Sequence, residues 1–145
     1  MLGPGTGIAP FRAYLQQRDI NGDKGRNWLF FGDRTEAGEY YYREEMADWK
    51  ERGVLNRHDL AWSRDGDEKV YVQHLMAKHG EEIWNWIEGG AYFYVCGDKN
   101  YMARDVYSTL IEICSEYGGM SEDEAKDFVE TGLMKTEKRY LRDVY

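Results

Sequence analysis

Short apolar runs alternate with longer amphipathic stretches along this sequence, and this alternation restricts the fold more than any other feature. The runs at residues 28–31, 58–62 and 92–96 are rich in β-formers and are bounded by turn residues, which predicts buried strands. Residues 139–145 could form a fourth, edge strand. Strands that alternate with helices predict an α/β fold, a three-layer open parallel sheet with helices on both faces.

Helical spacing predicts the structure of the segments between these strands. Apolar residues fall on one stripe over 100–117, and two glycines then end the predicted helix. Ser121 with Glu124 three residues later is a capping-box signature, which predicts that another helix starts there. Shorter helical faces are predicted at residues 11–15 and 42–49.

Composition places the 145-residue chain among globular proteins, with one domain over residues 1–145. Its 19 Lys+Arg against 27 Asp+Glu give a net charge of −8. This acidic balance argues against a general nucleic-acid or membrane-surface binder, since both need a basic footprint.

No apolar stretch approaches the roughly 20 residues of a membrane span. Without an export signal, the two cysteines predict reduced thiols in a cytoplasmic protein. The cysteines and three histidines have no spacing typical of zinc ligands.

The glycine loop, residues 3–7, is the first candidate site. Gly3, Gly5 and Gly7 let backbone N–H groups approach an anion, Thr6 adds a hydroxyl donor, and the following helix N-terminus adds a favourable partial charge. A pyrophosphate fits this arrangement. The loop matches neither the Walker pattern nor G-x-G-x-x-G, because Ile8 stands at the third glycine position. An ordinary glycine-rich turn that caps a helix remains the alternative.

A second candidate site, the phosphate cluster, follows the run that ends at residue 62. It offers five hydrogen-bond donors within eleven residues, two of them cations, which suits a phosphate monoester beside an aromatic ring. Because NAD sites place an acidic residue on the ribose hydroxyl, this basic cluster favours NADP over NAD. A solvated loop of alternating charges is the alternative. The five residues are Ser63, Arg64, Lys69, Tyr71 and Gln73.

Position singles out two further residues. Cys96 ends the most hydrophobic run, and the carboxyl ends of strands are where parallel α/β sheets bind ligands. Its thiol could act as a weak donor or a redox group, although a buried structural cysteine is commoner. Cys114 lies on the apolar helix stripe and is assigned to the core. Tyr145, the last residue, would present a flat ring to a partner if docked, or would simply end an edge strand.

Together these motifs resemble the ferredoxin–NADP reductase superfamily, and most closely its NADPH-dependent diflavin branch. The resemblance depends on the order and spacing of several motifs across nearly the whole chain. They are Gly-Pro-Gly-Thr-Gly-Ile-Ala-Pro-Phe-Arg at 3–12, Ser63-Arg64, Lys69-x-Tyr71-x-Gln73, Tyr-Val-Cys-Gly-Asp at 94–98 and Arg-Asp-Val-Tyr at 142–145. The fold that this resemblance implies is a Rossmann-like NADP-binding domain.

The resemblance also implies a role for each matching residue. The glycine loop would hold the NADPH pyrophosphate, and the phosphate cluster would surround the 2′-phosphate and adenine. Arg34 would lie on the adenine side, and Asp105 would be a further contact that acts by hydrogen bonding or orientation. Cys96 and Asp143 would flank the nicotinamide during hydride transfer, while Tyr145 would stack on the FAD ring.

The implied function is that of an NADPH-dependent flavoprotein oxidoreductase. Hydride would pass to FAD, and electrons would continue through FMN to a haem-type acceptor, most closely the sirohaem subunit that reduces sulfite. The chain has no room for FAD and FMN domains, and the central strand that leads into the glycine loop in this family is largely truncated. We therefore interpret residues 1–145 as the C-terminal NADPH-binding module of a longer flavoprotein, expected to be inactive in isolation. The alternatives are a reductase that serves another haem protein and a non-catalytic nucleotide-binding fragment.

Overall fold

The computed structural model describes residues 1–145, which form two compact units, Met1–Val72 and Gln73–Tyr145. In the first unit, strands β1 and β2 pair in parallel, with Trp28 opposite Arg57 and Asp33 opposite Trp62. The elements of this unit are a 3-10 turn (Gly5–Ile8), α1 (Ala9–Asn21), β1 (Trp28–Asp33), α2 (Glu36–Glu39), α3 (Arg43–Glu51) and β2 (Arg57–Trp62).

The residues before the glycine loop extend this small sheet on the other side of β1. Leu2 makes an isolated parallel bridge with Phe30, and the Gly3 N–H donates to the Phe30 carbonyl oxygen over 3.0 Å. Leu2 is fully buried, so this short segment is part of the core. Sequence analysis predicts a largely truncated strand before the glycine loop, and the structure has the single bridge between Leu2 and Phe30 at this position.

Helix α1 follows from its sequence. Pro10 stands in its first turn, where the missing N–H costs nothing, and Gly22 ends it with a left-handed φ of 68°. Phe11 and Leu15 face the core of the unit and are buried. The helical face predicted over residues 42–49 is wrong at Tyr42. This residue precedes α3 with a φ of 60°, and its side chain is 41% exposed.

The second unit holds the other parallel pair, in which Phe93 lies opposite Tyr140 and Gly97 opposite Val144. Helix α4 begins at Val72, the last residue of the first unit. The elements are α4 (Val72–Lys78), α5 (Gly80–Glu88), β3 (Phe93–Gly97), α6 (Met102–Gly118), α7 (Glu122–Asp127), a π-helix (Phe128–Thr136) and β4 (Tyr140–Val144).

The predicted α/β class with parallel strands is confirmed. Each of the four predicted strands is present, with ends that differ from the prediction by one or two residues. The predicted capping box is also present, since the Ser121 hydroxyl accepts from the Glu124 N–H while the Glu124 carboxylate accepts from the Ser121 N–H. The π-helix was not predicted. None of the helices combines the length and apolar character needed to cross a lipid bilayer.

Candidate functional site

The glycine loop turns tightly before α1. A side-chain carbon added to Gly3 would lie 2.3 Å from the Gly7 carbonyl oxygen, and Gly5 has a left-handed φ of 57°. Both positions therefore require glycine, for lack of space at one and for backbone conformation at the other. Thr6 is exposed at the crest of the turn. The loop thus places backbone groups and one hydroxyl next to the start of a helix.

The carboxyl ends of β1 and β2 lie beside this loop. An Asp33 carboxylate oxygen is 3.7 Å from the position that a Gly5 side-chain carbon would take. The parallel pairing continues past both strands, because the Ser63 N–H donates to the Asp33 carbonyl oxygen over 3.0 Å and the Arg64 N–H donates to that of Arg34 over 2.8 Å. The structure therefore brings Gly5, Arg34, Ser63 and Arg64 to the same end of the small sheet.

Among the cations at this edge, Arg34 already has a partner. Its guanidinium pairs with the Glu39 carboxylate at 2.9 Å and approaches Asp33 at 4.0 Å. Glu39 also accepts from the hydroxyl and the N–H of Thr35, and these hydrogen bonds, together with the nearby Arg34 charge, hold its pKa below the usual value. Arg34 is thus fixed by the protein itself.

Arg64 and Lys69 differ from Arg34, because both are exposed and neither side chain has an ion-pair partner. They belong to the loop between β2 and α4, as does Tyr71, which is 42% exposed. At the far end of the loop, Val72 packs near Gly32, since a side-chain carbon on Gly32 would lie 3.3 Å from a Val72 methyl group. The loop therefore leaves the strand end and returns to it, with two cations available to an anion.

In the second unit, strand register brings Cys96 and Asp143 together. Cys96 on β3 lies directly opposite Asp143 on β4, and Gly97 lies opposite Val144. Cys96 is 4% exposed, and burial raises the pKa of its thiol, with the Asp143 charge adding to the effect. The thiol is therefore protonated at neutral pH and can donate a weak hydrogen bond.

Tyr145 has a fixed backbone and an exposed ring. Its N–H donates to the Gly97 carbonyl oxygen over 3.1 Å, and its carbonyl oxygen accepts from the Lys99 N–H over 3.0 Å. The side chain is 66% exposed. Such a ring is positioned by the main chain and is accessible to a flat partner.

Gln73 and Asp105 also meet in the second unit. The Gln73 amide donates to an Asp105 carboxylate oxygen over 3.4 Å, and Arg104 lies 3.6 Å from the other carboxylate oxygen. Asp105 stands in the first turn of α6, where a negative charge is favourable. This contact joins the Gln73 and Asp105 side chains.

The sequence alone does not mark two carboxylates that act as structural partners near these sites. Glu39 pairs with Arg34. Asp98 accepts from the N–H groups of Tyr101 and Met102 over 2.7 and 3.0 Å, which lowers the pKa of its carboxyl. The Gly-Asp pair that closes β3, followed by a helical stripe, could have indicated this helix-capping role. No group of three or more His, Cys, Asp or Glu side chains could hold a metal ion.

A glycine turn that leads into a helix beside the carboxyl ends of parallel strands defines a dinucleotide-binding class of α/β domain. The comparison with protein families agrees, because the model described as the oxidoreductase NAD-binding domain matches residues 1–108. The chain belongs to this family, and the resemblance to ferredoxin–NADP reductases is confirmed.

Curated relatives share the whole of this chain. It is 50% identical over 145 residues to the sulfite reductase [NADPH] flavoprotein alpha-component of Klebsiella pneumoniae subsp. pneumoniae, and 51% and 49% identical to the proteins of that name from Serratia proteamaculans and Vibrio cholerae. The match covers all of this chain and 24%, 24% and 23% of these relatives, in their C-terminal region. The chain therefore spans about a quarter of the length of the curated relatives it matches.

Proposed function

We propose that this chain is the C-terminal NADPH-binding module of a flavin-dependent oxidoreductase and positions NADPH for hydride transfer to FAD. The observation that carries this proposal is the edge of the first unit, where a tight glycine turn lies beside two strand ends and a loop with two cations that have no ion-pair partner. An acidic chain that leaves Arg64 and Lys69 without carboxylate partners suits an anionic ligand.

The residues of the first unit would divide the nucleotide between them. The glycine loop, with Gly5, Thr6 and Gly7, would hold the pyrophosphate through backbone N–H groups and a hydroxyl. Ser63, Arg64, Lys69 and Tyr71 would hold the 2′-phosphate and adenine, and each charge-assisted hydrogen bond contributes roughly 1.5–3 kcal/mol. Arg34 would offer the face of its guanidinium to adenine while it keeps its pairing with Glu39.

The second unit would supply the groups beside the reacting ring. When bound, NADPH supplies a hydride from its nicotinamide, and the protein supplies position and electrostatics. Cys96 would donate a weak hydrogen bond from a protonated thiol, and Asp143 would place a negative charge that favours a developing positive charge. Gln73 would act with the rest of the phosphate cluster around the 2′-phosphate and adenine, and Asp105 would be a further contact. The exposed Tyr145 ring would stack on the flavin.

The names of the relatives support a specific final acceptor for the electrons. They are flavoprotein components of NADPH-dependent sulfite reductase, so we propose that FAD and FMN domains of the same protein carry the electrons onward to a sirohaem subunit that reduces sulfite. The alternatives are a diflavin reductase that serves another haem protein and a nucleotide-binding fragment without catalysis.

Titration of this chain with NADP⁺, NAD⁺ and 2′,5′-ADP tests the proposal. We expect clear preference for NADP⁺ over NAD⁺, and Arg64→Ala should weaken NADP⁺ and 2′,5′-ADP binding by about 10- to 100-fold while leaving NAD⁺ binding unchanged. Lys24→Ala, which removes an exposed cation from the loop between α1 and β1, is the matched control and should bind like the unmodified chain. Equal affinity of the unmodified chain for NADP⁺ and NAD⁺ would contradict the proposed 2′-phosphate site.

A chimera tests the catalytic part. This chain replaces the matching C-terminal region of the Klebsiella pneumoniae relative, and flavin reduction by NADPH is followed by absorbance. We expect a functional chimera and a slower flavin reduction in its Asp143→Asn variant, because the charge beside the nicotinamide is lost. A chimera that binds 2′,5′-ADP but never accepts hydride would support the non-catalytic alternative.

A further inference from the structure

Arg139, the residue before β4, joins three elements of the second unit. Its N–H donates to the Leu133 carbonyl oxygen in the π-helix over 2.8 Å, and its own carbonyl oxygen accepts from the Phe93 N–H at the start of β3 over 2.6 Å. Its guanidinium donates to the carbonyl oxygens of Ile87 and Ala91 over 2.9 and 2.8 Å. The side chain is only 14% exposed, so these contacts lie largely away from solvent.

The two carbonyl groups that the guanidinium contacts belong to the end of α5 and the segment that leads into β3. The last carbonyls of a helix have no partner within the helix, and a positive charge near them is favourable. The same guanidinium pairs with Glu137 at 2.6 Å, which keeps its charge balanced. One side chain thereby holds the start of β4 against the connection that precedes β3.

The pairing register of β3 and β4 links the position of Arg139 to the residues at the other end of the two strands. Phe93 lies opposite Tyr140, directly after Arg139, and three pairs further along Cys96 lies opposite Asp143. A slip of β4 by one residue would place Asp143 opposite a different residue and turn its side chain to the other face. The pairing of Cys96 with Asp143 therefore depends on where β4 begins.

We propose that Arg139 is a positioning residue that sets the register of β4 on β3 and so keeps Asp143 beside Cys96. Arg139 is four residues from Asp143, about 13 Å along an extended strand, so it acts through the strand and not by contact with the reacting groups. Any effect of Arg139 on hydride transfer rests on the proposed function, whereas its effect on the register of β4 does not depend on that function.

Alkylation of the two cysteines in this chain tests the register. With iodoacetamide at fixed pH, we expect Arg139→Ala to raise the rate at Cys96 by about 10- to 100-fold, the range expected when charge-assisted hydrogen bonds that hold a segment are lost. Cys114, fully buried in α6, should keep its slow rate, because the core of the unit stays folded. Mass spectrometry reads the two sites separately.

Two further variants make the test specific. Arg139→Lys keeps the charge but loses the planar fork that reaches two carbonyls, so its Cys96 rate should lie between those of the unmodified chain and Arg139→Ala. Arg142→Ala removes an exposed arginine from the same strand and should leave the rate unchanged. An unchanged Cys96 rate in both Arg139 variants would overturn the proposal. Equal acceleration of alkylation at Cys96 and Cys114 would also overturn it, because that result signals general unfolding. The same holds if Arg142→Ala accelerates Cys96 alkylation as much as Arg139→Ala does.

Nucleotide binding and flavin reduction separate this inference from the proposed function. In the chimera, Arg139→Lys should slow flavin reduction while 2′,5′-ADP affinity stays unchanged, because the cations of the phosphate cluster, Arg64 and Lys69, belong to the first unit. Failure of the unmodified chain to prefer NADP⁺ would overturn the proposed function and leave the alkylation result standing. If the Arg139→Lys chimera reduces flavin at the unmodified rate although its Cys96 is alkylated faster, the positioning role of Arg139 is overturned.

Discussion

The two units build their candidate sites in opposite ways. In Met1–Val72, the candidate binding side chains lie in exposed loops around a strand end, and the cations Arg64 and Lys69 have no ion-pair partner. In Gln73–Tyr145, Cys96 is buried within a strand and its neighbour Asp143 is set by register. The first arrangement leaves positive charges open to solvent, and the second fixes side-chain positions through strand pairing.

Substitutions in the two units should therefore differ in effect, with changes of ligand binding in the first unit and changes of stability in the second. Loop cations such as Arg64 should change affinity with little effect on stability, because exposed charges contribute little to folding. Buried groups in the second unit should change stability.

The largest expected effect is an exception in the first unit. Gly3→Ala places a side-chain carbon 2.3 Å from a backbone oxygen of Gly7 and 2.7 Å from the Phe11 ring, so the loop must shift. We expect the free energy of unfolding to fall by about 3 kcal/mol or more, with loss of 2′,5′-ADP binding. Urea unfolding measures the change. Gly66→Ala is the control, because its added carbon would meet no atom nearer than 3.9 Å, and a matching loss there would contradict the argument.

In the second unit, Tyr140→Phe should stabilise the protein. The buried Tyr140 hydroxyl has no partner in hydrogen-bond geometry, although the Arg142 guanidinium lies near it, and its removal should raise the free energy of unfolding by about 1 kcal/mol. Tyr107→Phe is the matched control, because the Tyr107 hydroxyl donates to Glu130 and its loss should destabilise. Chemical denaturation distinguishes the two signs, and a destabilised Tyr140→Phe variant would show that this hydroxyl has a partner in solution.

Asp98 makes the stability of the second unit depend on pH. Hydrogen bonds from Met102 and Tyr101 hold the pKa of its carboxyl below the usual 3.8. Because the folded pKa is the lower one, the carboxylate stabilises the fold above the unfolded pKa, and this contribution is lost as pH falls through the folded pKa. Asp98→Asn should therefore show a shallower loss of stability between about pH 5 and pH 3. Glu116→Gln, an exposed carboxylate on α6, is the control, and an unchanged slope in Asp98→Asn would refute the assignment.

The smallest expected effect concerns Arg34. Its guanidinium would keep its pairing with Glu39 and add only a solvent-exposed contact with adenine, so the net gain would be small. We expect Arg34→Ala to weaken NADP⁺ binding by less than about 3-fold, far below the effect of Arg64→Ala. Isothermal titration of both variants makes the comparison. A loss in Arg34→Ala as large as that in Arg64→Ala would mean that Arg34 leaves Glu39 when nucleotide binds.

Local residue chemistry was enough to predict the strands and the residue types of the first candidate site. Apolar runs bounded by turn residues mark buried strands, and three glycines before a helix mark a tight turn whatever surrounds it. The capping box at Ser121 was likewise predictable, since both partners lie within four residues.

Features that depend on three-dimensional pairing were not predictable in the same way. The position of Cys96 opposite Asp143 is a matter of register between strands more than forty residues apart in sequence. The contacts of Arg139 go to backbone carbonyls, which every residue carries and no motif marks. The π-helix at Phe128–Thr136 likewise has no established residue preference that would separate it from an α-helix.

The buried environment of Cys96 has a consequence for oxidative damage. Conversion of cysteine to sulfenic acid starts from the thiolate, and a raised pKa keeps the thiolate scarce at neutral pH. The Cys96 sulfur is thus held in a form that peroxide attacks slowly. The same burial that limits the Cys96 thiol to weak hydrogen-bond donation thus also protects it from oxidation.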